Sequence, residues 1–278
     1  MTTRRKPPQI DQQRPMRALL DELSKPPVSA PREDKHAYAS GLSRKLAVLL
    51  ARALRPVFPK VLPTEDDIGH ESPTGSAEGK KRLDVKVWDD TLGLVLLVSI
   101  KTYSFQDWDG KMKRAGRYSK NIKRNGLELK DEADVIHRRQ PYSLIVAIMF
   151  MPLNACDDGD PSKTSGVQGV SSFASAVGRL RVRTGRALDP DEKRFERFDL
   201  TERLYVGLYE YDDPSLRGSV RFFNVEDDPP RTGRPAETTT RSLGQLIAEI
   251  KALVDERNTK GIDWSVLTEE TILDEEGD

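Results

Sequence analysis

The sequence predicts an α/β protein in which a mixed central sheet is flanked by helices. Two almost wholly apolar runs, residues 92–100 and 143–151, are rich in Leu, Val and Ile and indicate strands covered on both faces. A long helical segment, residues 117–139, lies between them. The full order is helix, strand, strand, helix, strand, which is typical of a layered α/β sandwich.

The first helix of that order is predicted over residues 36–54. Apolar residues such as Leu42, Leu46 and Leu50 recur there at helical spacing, and Pro56 stops the pattern. The preceding residues, 1–34, hold six prolines among polar residues, a composition that resists a packed core. We therefore expect residues 1–34 to form a flexible N-terminal arm, interrupted by a short helix around residues 16–23.

The first strand is predicted over residues 82–88, after a loop rich in Gly, Pro, Ser and acidic residues. Leu83, Val85 and Val87 alternate there with polar residues, which is the pattern of a strand with one apolar face. Asp89 and Asp90 supply a turn before the apolar run at residues 92–100.

The C-terminal half is predicted to be α+β and to pack on the core. Its elements are a helix at residues 172–183, strands at 204–211 and 219–225, and an amphipathic helix from Leu243 to Leu253. The expected domains are a flexible arm (1–34), a core (36–155), a C-terminal α+β half (170–258) and an acidic tail (259–278).

Composition excludes several classes of protein. Lys plus Arg and Asp plus Glu number 45 each, so any attraction to nucleic acid must come from a local basic surface. The single cysteine, Cys156, excludes a disulfide framework and a thiolate zinc cluster. No apolar run approaches the ~20 residues of a membrane span. These features predict a soluble, cytoplasmic protein.

Asp84 and Lys101 form the most informative pair of residues. The acid lies within one strand and the lysine ends the next, so antiparallel pairing would bring them side by side. A hard divalent ion held by carboxylates can polarise a phosphate and activate water, while an ammonium offsets developing charge. The pattern therefore predicts metal-assisted hydrolysis of phosphodiesters. The simpler alternative is an ordinary ion pair at the boundary of a sheet.

Asp84, the apolar strand and Ser99-Ile100-Lys101 resemble the PD-(D/E)XK nuclease core of restriction endonucleases. The resemblance covers residues 36–151 and implies a restriction-endonuclease-like sandwich, with one poorly marked strand between Leu54 and Lys81. It implies that Asp84 and the main-chain carbonyl of Ile100 bind Mg²⁺ and that Lys101 positions the attacking water. Leu83 stands where the motif has proline.

Ser99 replaces the second acid of the motif, and a hydroxyl is a poor ligand for a hard cation. A subgroup of the family also has serine there and supplies the carboxylate from the following helix. Glu128 and Glu132 lie on a polar stripe beside the apolar face of that helix. Glu128 is our first candidate for the relocated ligand and Glu132 the second. Three acids of the preceding loop could serve instead: Asp67, Glu71 and Glu78.

A basic cluster follows the predicted site, where a phosphate backbone would have to pass. Five residues in or beside it are candidate DNA contacts: Lys113, Arg117, Lys120, Asn121 and Arg124. A second cluster follows the predicted helix of the C-terminal half and comprises Arg179, Arg181, Arg183 and Arg186. Double-stranded DNA is the expected partner, and a homodimer is expected by analogy with enzymes that cut both strands. The C-terminal half, residues 170–258, is expected to serve DNA recognition or dimerisation.

The sequence thus predicts a magnesium-dependent DNA endonuclease, with type II-like restriction enzymes as the nearest class. One rival hypothesis is a DNA-binding or complex-forming protein that keeps this fold but has lost its metal site through Ser99. The other is a structural protein in which Asp84 and Lys101 form only an ion pair.

Overall fold

The computed structural model describes residues 10–66, 72–73, 82–118, 121–163 and 169–258. Its α-helices are α1 (Arg17–Asp21), α2 (Arg32–Leu54), α3 (Ile122–Arg139), α4 (Ser172–Leu180) and α5 (Leu243–Arg257). Its strands are β1 (Val61–Leu62), β2 (Ser72–Pro73), β3 (Arg82–Leu83), β4 (Val85–Asp89), β5 (Gly93–Thr102), β6 (Trp108–Asp109), β7 (Arg114–Ala115), β8 (Leu144–Pro152), β9 (Arg203–Tyr209), β10 (Val220–Asn224) and β11 (Thr240–Arg241).

Seven of these strands form one mixed sheet in the order β1-β4-β5-β8-β9-β10-β11. β5, β8 and β9 run parallel to one another, and the strands on either side of them pair antiparallel. Two further antiparallel pairs, β2 with β3 and β6 with β7, are two-stranded. The predicted α/β architecture with a mixed central sheet is therefore confirmed.

Helices cover both faces of this sheet. α2 and α5 pack on one face, where Leu46 and Leu246 join side chains such as Val98 and Val146 in a buried core. α3 and α4 cover the opposite face over two smaller clusters. All nine residues of β8 are buried, as the continuous apolar run predicts for a central parallel strand.

The boundaries of several elements differ from the sequence prediction. The predicted strand at residues 82–88 is broken by a bend at Asp84 into β3 and β4. α3 begins at Ile122 rather than at residue 117, because Asn121 adopts a left-handed conformation (φ 69°) that a continuing helix excludes. The strand expected between Leu54 and Lys81 corresponds to β1, which pairs with β4.

The C-terminal half does not form a separate layer on the core. β9, β10 and β11 extend the same sheet, α4 covers one face of it and α5 covers the other. The two predicted halves therefore share one hydrophobic core.

The described part of the predicted arm is also packed rather than flexible. Met16 and Leu20 are completely buried against α2, and the Met16 N–H donates to the Gly218 carbonyl at 3.0 Å. Residues 1–9 of the predicted arm and residues 259–278 of the predicted acidic tail lie outside the described ranges, so what was predicted for them stays a prediction. Within the described ranges, no helix is long and apolar enough to cross a membrane.

Candidate active site

Ser99 and Lys101 lie near the carboxyl end of β5, on the sheet face that α3 covers. Their register partners in the parallel strand β8 are Ala147 and Met149, which are buried beneath α3 and α4. Alternation along the strand turns Ile100 to the opposite face, into the core under α2. The sequence Ser-Ile-Lys therefore presents a hydroxyl and an ammonium on one face.

Asp84 lies at the bend between β3 and β4, beside this end of β5. β4 pairs with β5 through Val85 and Val98, so the same register continued by one residue brings Asp84 opposite Ser99. There the Ile100 N–H donates to Asp84 Oδ2 at 2.7 Å. A carboxylate thus accepts a main-chain hydrogen bond at the point where regular strand pairing stops.

Glu132 reaches the same place from α3. Its side chain is only 4% exposed, and the Ser99 hydroxyl donates to its Oε2 atom at 2.7 Å. The Lys101 ammonium, 21% exposed, donates to the same oxygen at 3.4 Å. A buried carboxylate needs such partners, because an unpaired charge is costly to remove from water.

Three carboxylates set the charge state of Lys101. Burial alone would lower the pKa of Lys101, but Glu132, Asp84 and Glu128 together raise it above its ordinary value. The lysine is therefore a stable cation at neutral pH, available to offset negative charge but not to act as a base.

The structure brings together Asp84, Ser99, Lys101 and Glu132, whereas Glu128 lies one helical turn away. The side chain of Glu128 is 43% exposed and accepts a hydrogen bond from the Arg124 guanidinium at 2.8 Å. The first candidate for the relocated ligand is thus at the surface, and the second candidate occupies the buried position.

The chemistry of this donor set suits a small hard cation. Asp84 and Glu132 supply carboxylate oxygens, and Mg²⁺ is commonly held by one or two carboxylates together with several waters. Among the described residues, no group of three or more His, Cys, Asp or Glu side chains is arranged to hold a metal. The alternative ligands Asp67, Glu71 and Glu78 lie outside those residues.

The predicted DNA contacts fall in different environments. Lys113, Asn121 and Arg124 are exposed, and Lys120 lies outside the described residues. Arg117 is partly buried; its guanidinium donates to the Val170 carbonyl and lies 3.5 Å from Asp158. Contacts of this kind indicate a structural role for Arg117.

A second buried charge cluster lies at the other end of the sheet and was not predicted. Glu202 is fully buried; it accepts hydrogen bonds from Arg186 (2.7 Å), Arg257 (3.0 Å) and the Ile145 N–H (2.8 Å). Burial raises the pKa of Glu202, but His137 and the two arginines outweigh this effect and lower it overall. Arg186 is therefore a core residue and not part of an exposed basic cluster.

A cavity of about 810 Å³ lies beside this buried cluster, with Leu94, Tyr142, Leu188 and Val254 among its lining residues. None of the four residues of the candidate active site, Asp84, Ser99, Lys101 and Glu132, lines it. The cavity and the candidate active site are therefore separate features.

Comparison of the chain with protein-family models, with curated proteins and with solved structures found no match.

Proposed function

We propose that this protein is a magnesium-dependent nuclease that hydrolyses phosphodiester bonds of double-stranded DNA. The observation that carries the proposal is the position of Glu132. This buried carboxylate from α3 meets Ser99 and Lys101 at the end of β5, where a second carboxylate, Asp84, is also held. Two carboxylates and one cation at a partly open strand end suit metal-assisted phosphate chemistry.

Each residue has a specific task in this proposal. Asp84 and Glu132 would hold Mg²⁺ together with the Ile100 carbonyl, and the bound ion would polarise the phosphate and lower the pKa of attacking water. Lys101 orients that water and offsets the negative charge that develops on the phosphate. The Ser99 hydroxyl donates a hydrogen bond to Glu132 and so fixes the direction of a carboxylate that comes from a neighbouring element.

The element order supports the resemblance to the PD-(D/E)XK core. α2, β4, β5, α3 and β8 follow one another as that core requires, and β1 supplies a strand before β4. Ser99 and Glu132 together match the variant in which the second acid is relocated to the helix. A type II-like restriction activity and a homodimer that cuts both strands belong to the same proposal.

One observation favours a second candidate, a DNA-binding protein without catalysis. Lys101 and Glu132 already neutralise one another at 3.4 Å, and the motif's second acid is a serine. A site of this kind can keep its fold without binding a metal. This candidate predicts that the protein binds duplex DNA but does not cleave it, either with Mg²⁺ or with EDTA.

The test is cleavage of a mixed panel of plasmid and phage DNAs by the wild-type protein and by Lys101→Ala. Lys251→Ala is the matched control, because Lys251 also forms an ion pair, with Asp255 at 2.6 Å, but lies on α5 against the opposite sheet face. We expect the wild type and Lys251→Ala to cut with Mg²⁺ and not with EDTA, and Lys101→Ala not to cut. Cleavage that survives EDTA or the loss of Lys101 contradicts the proposal.

A further inference from the structure

The β6–β7 hairpin follows the carboxyl end of β5, the end at which the candidate active site lies. Its base is closed by two main-chain hydrogen bonds, from the Asp107 N–H to the Arg117 carbonyl (2.9 Å) and from the Gly116 N–H to the Asp107 carbonyl (2.7 Å). Asp107 follows Lys101 by only six residues, and α3, which carries Glu132, begins five residues after Arg117. The hairpin is thus inserted in the chain between β5 and α3, two of the elements that build the site.

The turn of this hairpin has a defined shape. Asp109 Oδ1 accepts hydrogen bonds from the main-chain N–H groups of Lys111 (3.0 Å) and Met112 (3.1 Å). Lys113 then takes a left-handed conformation, with φ at 47°. Such an Asp-centred turn fixes the main chain from which these side chains project before any ligand binds.

The side chains on this turn are cationic and available. Lys111, Lys113 and Arg114 are exposed, and none of the three forms an ion pair with any residue that the structure describes. Arg117 and Arg124 nearby are instead paired with Asp158 and Glu128. Unpaired cations give the largest attraction to a phosphate backbone, because no existing contact must be broken first.

Met112 stands between the two lysines and is 63% exposed, which is unusual for a large apolar side chain. It has no apolar cover at the tip of the hairpin. A methionine in this position suits contact with an apolar patch that only a partner supplies.

We propose that the β6–β7 hairpin enters the major groove of the duplex whose backbone lies at the candidate active site. Lys111, Lys113 and Arg114 contact phosphates on the groove walls, and Met112 contacts base edges, where thymine methyl groups are the matching apolar surface. A two-stranded ribbon fits the major groove of undeformed B-DNA, which is about 12 Å wide, whereas the minor groove is only about 6 Å wide. The inference rests on the proposed function in one respect, that duplex DNA is the ligand.

The first test measures binding of 30-base-pair random-sequence duplexes by fluorescence anisotropy, in the Lys101→Ala background so that the DNA stays intact. Lys111→Gln/Lys113→Gln is compared with Arg32→Gln/Lys193→Gln, a pair of exposed basic residues outside the hairpin that loses the same charge. The slope of log affinity against log salt concentration is negative, and the loss of two phosphate contacts makes it less steep by about 1.8. Between 50 and 200 mM salt, the affinity of the hairpin variant should therefore fall about tenfold less than that of the control.

The second test identifies the groove. Methyl green, which occupies the major groove, should displace the Arg32→Gln/Lys193→Gln control from duplex DNA. Netropsin, which occupies the minor groove, should not. Met112→Ser should weaken binding to duplex DNA and leave binding to duplex RNA unchanged, because side chains cannot read the deep, narrow major groove of A-form RNA.

The inference is overturned if the hairpin variant keeps the control's salt slope, if netropsin is the effective competitor, or if no variant binds duplex DNA with Mg²⁺ or EDTA. These outcomes are independent of catalysis. A protein that never cuts DNA but binds it through the hairpin refutes the nuclease proposal alone. A protein that cuts DNA while its hairpin variant binds like the control refutes only the proposal that the hairpin enters the major groove.

Discussion

Replacing Ser99 with alanine tests whether its hydroxyl holds the buried carboxylate of Glu132. The two side chains are 2.7 Å apart, Ser99 is completely buried and Glu132 is 3% exposed, so water cannot replace the lost donor. A hydrogen bond to a charged group contributes roughly 1.5–3 kcal/mol. The Lys101 ammonium, 3.4 Å from the same oxygen, remains as a partner and limits the loss.

We therefore expect Ser99→Ala to lower the free energy of unfolding by about 2 kcal/mol. For a chain of this size the same change lowers Tm by roughly 4–8 °C. Urea denaturation with and without Glu132→Gln completes a double-mutant cycle, in which the cost of Ser99→Ala should fall by about 1 kcal/mol once the acceptor is neutral. Ser143→Ala is the control, because Ser143 is a buried serine whose hydroxyl donates to a neutral acceptor, the Leu94 carbonyl.

Equal costs for Ser99→Ala in the wild-type and Glu132→Gln backgrounds would refute this reasoning. They would mean that the hydroxyl and the carboxylate are neighbours without energetic coupling. The serine would then be a small packing residue, and the relocated acid would lack the support that the site geometry assigns to it.

Three further predictions concern the metal and the fold. Mg²⁺ at ten times its Kd should stabilise the wild type by about 1.4 kcal/mol in thermal melts, and Asp84→Asn should lose most of that gain. Gly218→Ala should expose α1 to proteases, because Gly218 has φ at 88° and an added Cβ would collide with the main chain at the start of α1. Glu202→Gln should cost about 3–5 kcal/mol, since Arg186 and Arg257 would stay buried without their anion. Because the pKa of Glu202 is lowered from 4.5, its stabilisation is complete above that pH, and the difference between wild type and variant should shrink as pH falls further.

The central strands were predictable because burial on both faces leaves a signature in the sequence itself. Residues 92–100 and 143–151 are continuous apolar runs, and they form most of β5 and β8. The sharing of one sheet by both halves was not predictable in this way. It depends on the parallel pairing of β8 with β9, which joins residues far apart in the chain and leaves no local pattern.

The choice between Glu128 and Glu132 shows where helical periodicity stops being informative. They are four positions apart, so both lie on one stripe of α3 and differ mainly in their height along the helix, by about 6 Å. That height is fixed by where α3 begins, after the left-handed Asn121, and by how it crosses β5. The burial of Met16 was missed for a similar reason, since its contact with Gly218 is made only in the folded chain.

The most direct test of the account compares the initial rates of Mg²⁺-dependent DNA cleavage by Glu132→Gln and Glu128→Gln. Both variants remove one negative charge from α3, but only Glu132 contacts Ser99 and Lys101. We predict that Glu132→Gln slows cleavage by at least about a hundredfold, on the order of 3 kcal/mol, while Glu128→Gln stays near the wild-type rate. Cleavage by Glu132→Gln at the wild-type rate, or a larger loss in Glu128→Gln, would contradict the assignment of the active site.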